Sequence, residues 1–334
     1  MPAPEHKREL GRGERVFPGI WRLRLPLPFP GIPHCNAWAV AAGDGVVLFD
    51  CGMHEPGSMA NLERAMEMVN LRPEHVRLLA CTHAHPDHYG QAATVLQRGG
   101  CELWMHPNHG HVTKAVEDPE AAIRQRIEIA RQSGVPETLL RAYAERRRSH
   151  GSGIAAIVLP DRPLLDGVRI ESDLGPWLVY ETPGHAPSHV CFFQPDRRIL
   201  ISGDHLLGRV SLFYEYGYTP DPVGEFLHSL GLVEDLDARL ALSGHGRTFT
   251  DVQGHITANR MLVAERLEKV LDVISQDGPI TAYDAVPRVY GEPMNAVNAS
   301  WWMSETLCYL RHLEVTGRAA REPDGAAAEV WTAA

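Results

Sequence analysis

The chain has 334 residues, 44% hydrophobic and 22% charged, enough for one large domain or one domain with a smaller appendage. Its formal charge of −10 gives no broad positive field for a phosphate backbone, so nucleic acid is disfavoured as a partner, the local Arg146–Arg148 run notwithstanding. No apolar run approaches the roughly 20 residues needed to span a bilayer, which argues against a membrane protein.

The opening stretch MPAPEHKRELGRGER is charged, lacks an apolar signal core, and predicts a disordered lead over residues 1–15 of a cytoplasmic protein. Six cysteines are scattered without a CxxC pair, which suggests reduced, buried thiols. IWRLRL reads as a strand, and NAWAVAAGDGVVLFDCG as a hairpin turning at Gly43-Asp44-Gly45. SMANLERAMEMVN has Met59, Leu62, Met66 and Val69 at helical spacing. VRLLACTH is a short apolar strand, GQAATVLQR a helix and CELWMH another strand, an alternation that predicts an α/β sheet with helices on its outer faces. Residues 117–150 read as two helices, started by Asp118-Pro119 and separated around Gly134 and Pro136, an insertion of the kind that covers a site. Short strands return with IAAIVLP, WLVYETPGH, VCFFQP, RRILISGDH and RLALSGHG, followed by a long helix over about 254–276. The remainder predicts a small helical cap and then a loose Ala-rich tail.

Four apolar strands end on Gly or Thr followed by potential metal ligands: ACTHAHPDH (His83, His85, Asp87, His88), YETPGH (His185), LISGD (Asp204) and ALSGHG (His245). Strand ends are where α/β folds collect functional residues. Imidazole and carboxylate suit zinc, iron or manganese, and no thiolate closes the set as a structural site. His83 and His85 are two apart, so in extended backbone they point the same way and can grip one ion that His185 could complete. Asp87 and His88 lie one turn on, His245 could join them on a second ion, and Asp204 has two oxygens with which to bridge. A hydroxide between two such ions would be the nucleophile, because bound metal lowers the pKa of water from about 15.7 to about 7.

THAHPDH with its later His, Asp and His is similar to the HxHxDH signature of the metallo-β-lactamase superfamily. The resemblance implies an α/β fold, an αββα four-layer sandwich, with a dinuclear site between two sheets, and it covers about residues 20 to 260. It implies His83, His85 and His185 as ligands of the first metal, Asp87, His88 and His245 as ligands of the second, and Asp204 as the bridge. Asp50 in VVLFDCG matches the buried Asp that supports the metal-binding loop. Two divalent ions are expected, zinc first, with iron or manganese as alternatives. Gln91 departs from the family's DHxGG, and His85 stands where di-iron redox members carry Glu. The C-terminal part is similar to the winged-helix-like cap of a β-lactamase-like, glyoxalase II-like group. The implied domains are a catalytic domain over 16–277, a cap over 278–318 and a loose tail over 319–334.

HPNHGH carries His106, His109 and His111 without a carboxylate or thiol at useful spacing, and is read as solvated or helix-capping histidines. His189 and His205 neighbour ligands. Tyr89, His205, Phe213, Tyr214, Tyr216 and Tyr218 are candidates to line a substrate pocket, with a Tyr hydroxyl available to an oxyanion. The expected function is hydrolysis of an ester, thioester or lactone of a small organic molecule, with Asp87 and Asp204 catalytic and Asp87 shuttling a proton. The alternatives are a phosphodiesterase or ribonuclease of the same fold and a mononuclear-iron persulfide dioxygenase. The cap or exposed helices could support a homodimer.

Overall fold

A computed structural model describes residues 10–29, 31–295, 298–324 and 328–334. The first half of the chain builds a seven-stranded sheet: β1 (Arg12–Phe17), β2 (Ile20–Phe29), β3 (Ile32–Ala42), β4 (Gly45–Phe49), then α1 (Ser58–Glu67) and β5 (Val76–Ala80). It continues through α2 (Pro86–Tyr89), α3 (Ala92–Gly99), β6 (Glu102–Met105), α4 (Gly110–Glu117), α5 (Pro119–Gln132), α6 (Glu137–Ser149) and β7 (Arg162–Pro163). The strands lie in sequence order, β1 to β4 antiparallel and β4 to β7 parallel. A second sheet of order β12-β11-β10-β9-β8 comprises β8 (Arg169–Ile170), β9 (Trp177–Glu181), β10 (Val190–Gln194), β11 (Ile199–Gly203) and, after α7 (Pro222–Asp235), β12 (Leu240–Ser243).

The two sheets face each other. Trp38, Val40, Val47 and Phe49 from the first meet Trp177, Val179, Phe192 and Ile201 from the second in one buried cluster. Phe49 sits 5.6 Å from Trp177 and 4.7 Å from Phe192, tilted and edge-on as aromatic quadrupoles prefer. Alternate residues turn outward: Ala37, Ala39, Val46 and Leu48 are covered with Leu62, Met66 and Val95 of α1 and α3. On the far side Cys191 and Leu200 are covered with residues of α7 and of α8 (Val252–Asp277). Strands β4, β10, β11 and β12 are buried on both faces, which is why they read as apolar runs with little alternation, whereas edge strands such as β1 and β7 stay exposed. The result is the expected αββα sandwich.

The insertion forms as its turn residues predict. Asp118 caps α5 by accepting from the Ala121 N–H at 2.9 Å, Pro119 takes the first helical position, and Gly134 adopts a left-handed φ of 87°. IAAIVLP, expected as a strand, is irregular; its Val158 backbone exchanges two hydrogen bonds of 2.7 Å with the Tyr89 hydroxyl.

Two boundary expectations change. The disordered lead over 1–15 does not hold for its last residues, because β1 pairs with β2 from Arg12 onward; residues 1–9 lie outside the described residues. The tail over 319–334 is not loose. After β13 (Ile280–Thr281), α9 (Ala282–Tyr290) and α10 (Ala299–Val315), strands β14 (Ala319–Asp324) and β15 (Ala328–Ala333) form a sheet of order β13-β15-β14. Ile280 pairs with Trp331, whose side chain is 1% exposed in the cluster that holds Val270 and Leu310. Ala is a weak strand former, so the run hides its structure until Trp331 is buried by its partners. The cap therefore continues through Ala333. All six cysteines are free thiols, and among the described residues no helix is long and apolar enough to cross a membrane.

Candidate metal centre

The four ligand-bearing segments converge at the ends of β5, β9, β11 and β12. His83 and His85 lie in the turn after β5, and Asp87 and His88 on the single turn of α2. His83, His85 and His185 form one group whose ligand atoms lie within 4.8 Å of one another, and Asp87, His88 and His245 form a second. Asp204 stands between them, with Oδ1 3.4 Å from His88 Nε2 and Oδ2 3.2 Å from His245 Nε2 and 3.7 Å from His185 Nε2.

Each of the five histidines is held from outside through one ring nitrogen. His88 Nδ1 donates to Asp50 Oδ2 at 2.8 Å, and His245 Nδ1 to the His34 carbonyl at 2.9 Å. His185 Nδ1 donates to the Phe213 carbonyl at 3.2 Å. His83 Nδ1 donates to Thr82 Oγ1 at 3.0 Å, and that hydroxyl donates in turn to Asp50. His85 is anchored through Nε2, 3.4 Å from Glu215 Oε2. An acceptor at the outer nitrogen makes that nitrogen the N–H, so the inner nitrogen of each neutral ring carries a lone pair. These lone pairs crowd together: His85 Nδ1 is 2.9 Å from His83 Nε2 and 3.1 Å from His185 Nε2. His88 Nε2 and Asp204 Oδ1 are buried and have no hydrogen-bond partner. Converging lone pairs and orphaned buried donor atoms are what a cation among them would satisfy, so the residues fit two divalent ions.

The electrostatics agree. Burial alone would push Asp204 up, but His245 and His88 hold it well below the usual carboxylate range. Asp87 is likewise lowered by His88 and His245 against its burial, and Glu215 by His85 and the hydrogen bond from His111. In return, the carboxylates outweigh burial at His245 and raise it to about 10, and they raise His88 and His85 too. His185 goes the other way, to about 3, through burial and the neighbouring His85. Buried carboxylates that stay ionised need compensating positive charge, and divalent cations supply it without protonating the imidazoles.

A second ring of residues fixes these positions. Asp50 is buried at the end of β4 with φ 62°, unusual for a non-glycine residue, and its carboxylate also accepts from the Thr82 N–H at 2.8 Å. Gln91, the departure from DHxGG, donates to the Cys51 carbonyl at 2.8 Å. His189 Nε2 accepts from the Asp204 N–H at 3.1 Å and thereby sets the backbone of the central carboxylate. Asn36 and Trp38 of β3 donate to the Ser243 carbonyl at 2.8 and 3.2 Å, which ties the turn carrying His245 to the first sheet.

Among the other candidates, Phe213 lies against His85 and His185, and Tyr218 against His111. Tyr89, expected in the pocket, turns away to Val158. Tyr214 is fully buried between Phe226 and Tyr309, and Tyr216 lines a neighbouring cavity. His205 is buried behind His189 against Phe226, and burial lowers it to about 3.

The reading of HPNHGH is corrected in two residues. His106 does cap a turn, accepting from the Asn108 N–H at 3.1 Å, but it is buried and its Nε2 lies 2.8 Å from the Glu181 carboxylate, while His109 Nδ1 lies 3.1 Å from Thr113 Oγ1. His111 is neither solvated nor a cap: it is buried, 2.5 Å from Glu215 Oε2 and 2.9 Å from Ser188 Oγ. Its carboxylate partner comes from over a hundred residues downstream, beyond the reach of local spacing. Glu215 itself was hidden among the tyrosines of SLFYEYGYTPD.

A family model described as the metallo-beta-lactamase superfamily matches residues 30–245. The chain belongs to that superfamily. Among its relatives this metallo-beta-lactamase superfamily protein is 26% identical over 305 residues to the probable metallo-hydrolase YqjP of Bacillus subtilis, covering 87% of this chain and 91% of that one. It is 27% identical over 143 residues to an atrochrysone carboxyl ACP thioesterase of Aspergillus chevalieri, 40% and 44% of the two chains. The crystal structure of metallo-beta-lactamase family protein TTHA1429 from Thermus thermophilus superposes with a TM-score of 0.81 at 26% identity, over 96% of this chain and all of that one. Membership in this metallo-hydrolase superfamily suggests a metal-dependent hydrolase, and the His and Asp groups could hold the divalent ions the fold implies.

Proposed function

We propose that the protein hydrolyses a thioester or related carboxylic ester or lactone of a small organic substrate, using two divalent ions, zinc first. The observation that carries this reading is the set of five anchored imidazoles whose inner nitrogens face two carboxylates. His83, His85 and His185 would hold one ion, Asp87, His88 and His245 the other, and Asp204 both. Ions there would lower the pKa of water toward neutrality and polarise the scissile carbonyl. The chain's own residues do the rest. Asp50, Thr82 and Glu215 lock ring orientation, and Phe213 supplies an apolar wall beside His85 and His185. Asp87, 17% exposed at the edge of the cluster, would take the proton released by the attacking water and pass it outward.

The thioester class is supported by the relative named as an ACP thioesterase, and the net charge of −10 argues against a polyanionic substrate. Six free thiols support a reducing, cytoplasmic setting. The test is a hydrolysis screen over thioesters, lactones, aryl esters and RNA, with metal analysis and an Asp204→Ala control. Thioester or ester turnover that requires about two ions per chain and vanishes in the variant is expected. Turnover unaffected by Asp204→Ala, or a single iron per chain, would defeat the reading.

A further inference from the structure

Between the insertion and the cap lies a cavity of about 460 Å³, a size typical of small-molecule sites. Ile129 and Leu140 of the insertion, Tyr216, and Met303 and Leu307 of α10 contribute its apolar walls. Among the described residues the charged side chains that line it are Arg126 and Arg146, both cationic.

Arg126 also joins the cavity to the metal centre. Its Nη2 lies 3.6 Å from Glu215 Oε1 and donates to the Tyr218 hydroxyl at 3.3 Å, while the other oxygen of Glu215 reaches His85. Both contacts use one nitrogen of a guanidinium that has five N–H donors. Residues 213–216 separate the two spaces by alternation. Phe213 and Glu215 face the histidines, whereas Tyr214 is in the core and Tyr216 borders the cavity.

We propose that this cavity binds the apolar chain of a medium-chain acyl group, with its acyl end toward Arg126. An apolar wall whose charged side chains, among the described residues, are arginines fits an apolar body with an anionic or polar carbonyl end, and Arg126 would hold that end across Glu215 from His85. The assignment of the acyl group as substrate rests on the hydrolase reading; the binding itself does not. Two sources share this chemistry, a free fatty acid and the acyl portion of a thioester.

The test is calorimetric titration of the full-length, metal-loaded protein with butyrate, with decanoate, and with the non-hydrolysable S-decyl thioether of pantetheine. Each buried methylene strengthens binding about fourfold. Decanoate or the decyl thioether should therefore bind at least a hundredfold tighter than butyrate, the stronger of the two identifying the source. Ala130→Trp and Ala299→Trp fill the cavity from different helices, and each should weaken the long-chain probe at least tenfold. Circular dichroism melting shows which variant remains folded, and the chain-length dependence of the unmodified protein stands even if neither does. Equal affinity for short and long probes overturns the proposal, as does unchanged affinity in a folded variant. A concentration-dependent dimer disrupted by Ala130→Trp, without long-chain binding, overturns it in favour of a second copy of the chain. Long-chain binding without hydrolysis of any thioester, ester or lactone would sink the hydrolase reading alone, and hydrolysis of one of these without long-chain binding would sink this proposal alone.

Discussion

Glu215 Oε2 lies 3.4 Å from His85 Nε2, on the opposite side of the ring from the Nδ1 that meets His83 and His185. The same oxygen is 2.5 Å from His111 Nδ1, and His111 Nε2 reaches Ser188, whose hydroxyl also accepts from the Ala84 N–H at 3.1 Å. The carboxylate therefore selects the tautomer of His85 and ties three distant segments together. Removing such an outer partner typically costs 10–100-fold in metal affinity. Glu215→Ala should weaken metal binding by about that factor in a competition titration with a chromogenic chelator, and Glu215→Gln, which keeps an acceptor oxygen, should lose less. Identical metal affinity in Glu215→Ala would rule the role out.

Asp50 serves His88 and Thr82 together from a left-handed backbone that Asn tolerates well. Asp50→Asn should keep most of the thermal stability yet turn an amide N–H toward His88 Nδ1, lowering metal affinity about 10–100-fold. Asp50→Ala should in addition strand buried donors at about 1–3 kcal/mol each. Urea denaturation together with metal titration separates the two variants; equal stability in both would show that the hydrogen bonds carry little.

Gly244 is needed for space. A Cβ there would stand 2.2 Å from Asp204 Oδ1 and 2.7 Å from His88 Cε1. Because the nearest atom is the tip of a side chain, Gly244→Ala should displace the Asp204 carboxylate while the fold survives at a cost of about 1–3 kcal/mol. Metal analysis should show less than the full complement in a protein that still melts cooperatively. A full complement would mean that Asp204 does not need its present position.

Glu305 makes stability pH-dependent. It is buried in α10, accepts from the Tyr290 hydroxyl at 2.6 Å and from Trp301 Nε1 at 2.7 Å, and burial pushes it up to about 7 despite both bonds. A folded pKa above the ordinary 4.5 means the native state keeps a proton that the unfolded chain releases. The stabilisation is therefore complete below about pH 4.5 and lost as pH rises to about 7, by roughly 3 kcal/mol. Glu305→Gln should remove this slope, so denaturation midpoints at pH 5 and pH 8 should converge relative to wild type. Parallel pH dependence in both proteins would contradict it.

An α/β sheet with outer helices was legible because strands such as VVLF and VCFFQ appear as apolar runs alternating with helices, and Asp118, Pro119 and Gly134 mark the insertion. The four-layer sandwich followed only from the family resemblance. The seven candidate ligands were legible because strand ends carry their chemistry in short local patterns. Those patterns alone determined which residue types meet and in what chain order. They were silent on Glu215, His111 and Arg126, whose partners lie on different elements. Nor did they separate Phe213 at the histidines from Tyr214 in the core, or reveal that an Ala-rich tail pairs around Trp331. Those outcomes belong to the tertiary structure, because a side chain's direction and its partner across space depend on how sheets, insertion and cap dock, which local periodicity does not encode.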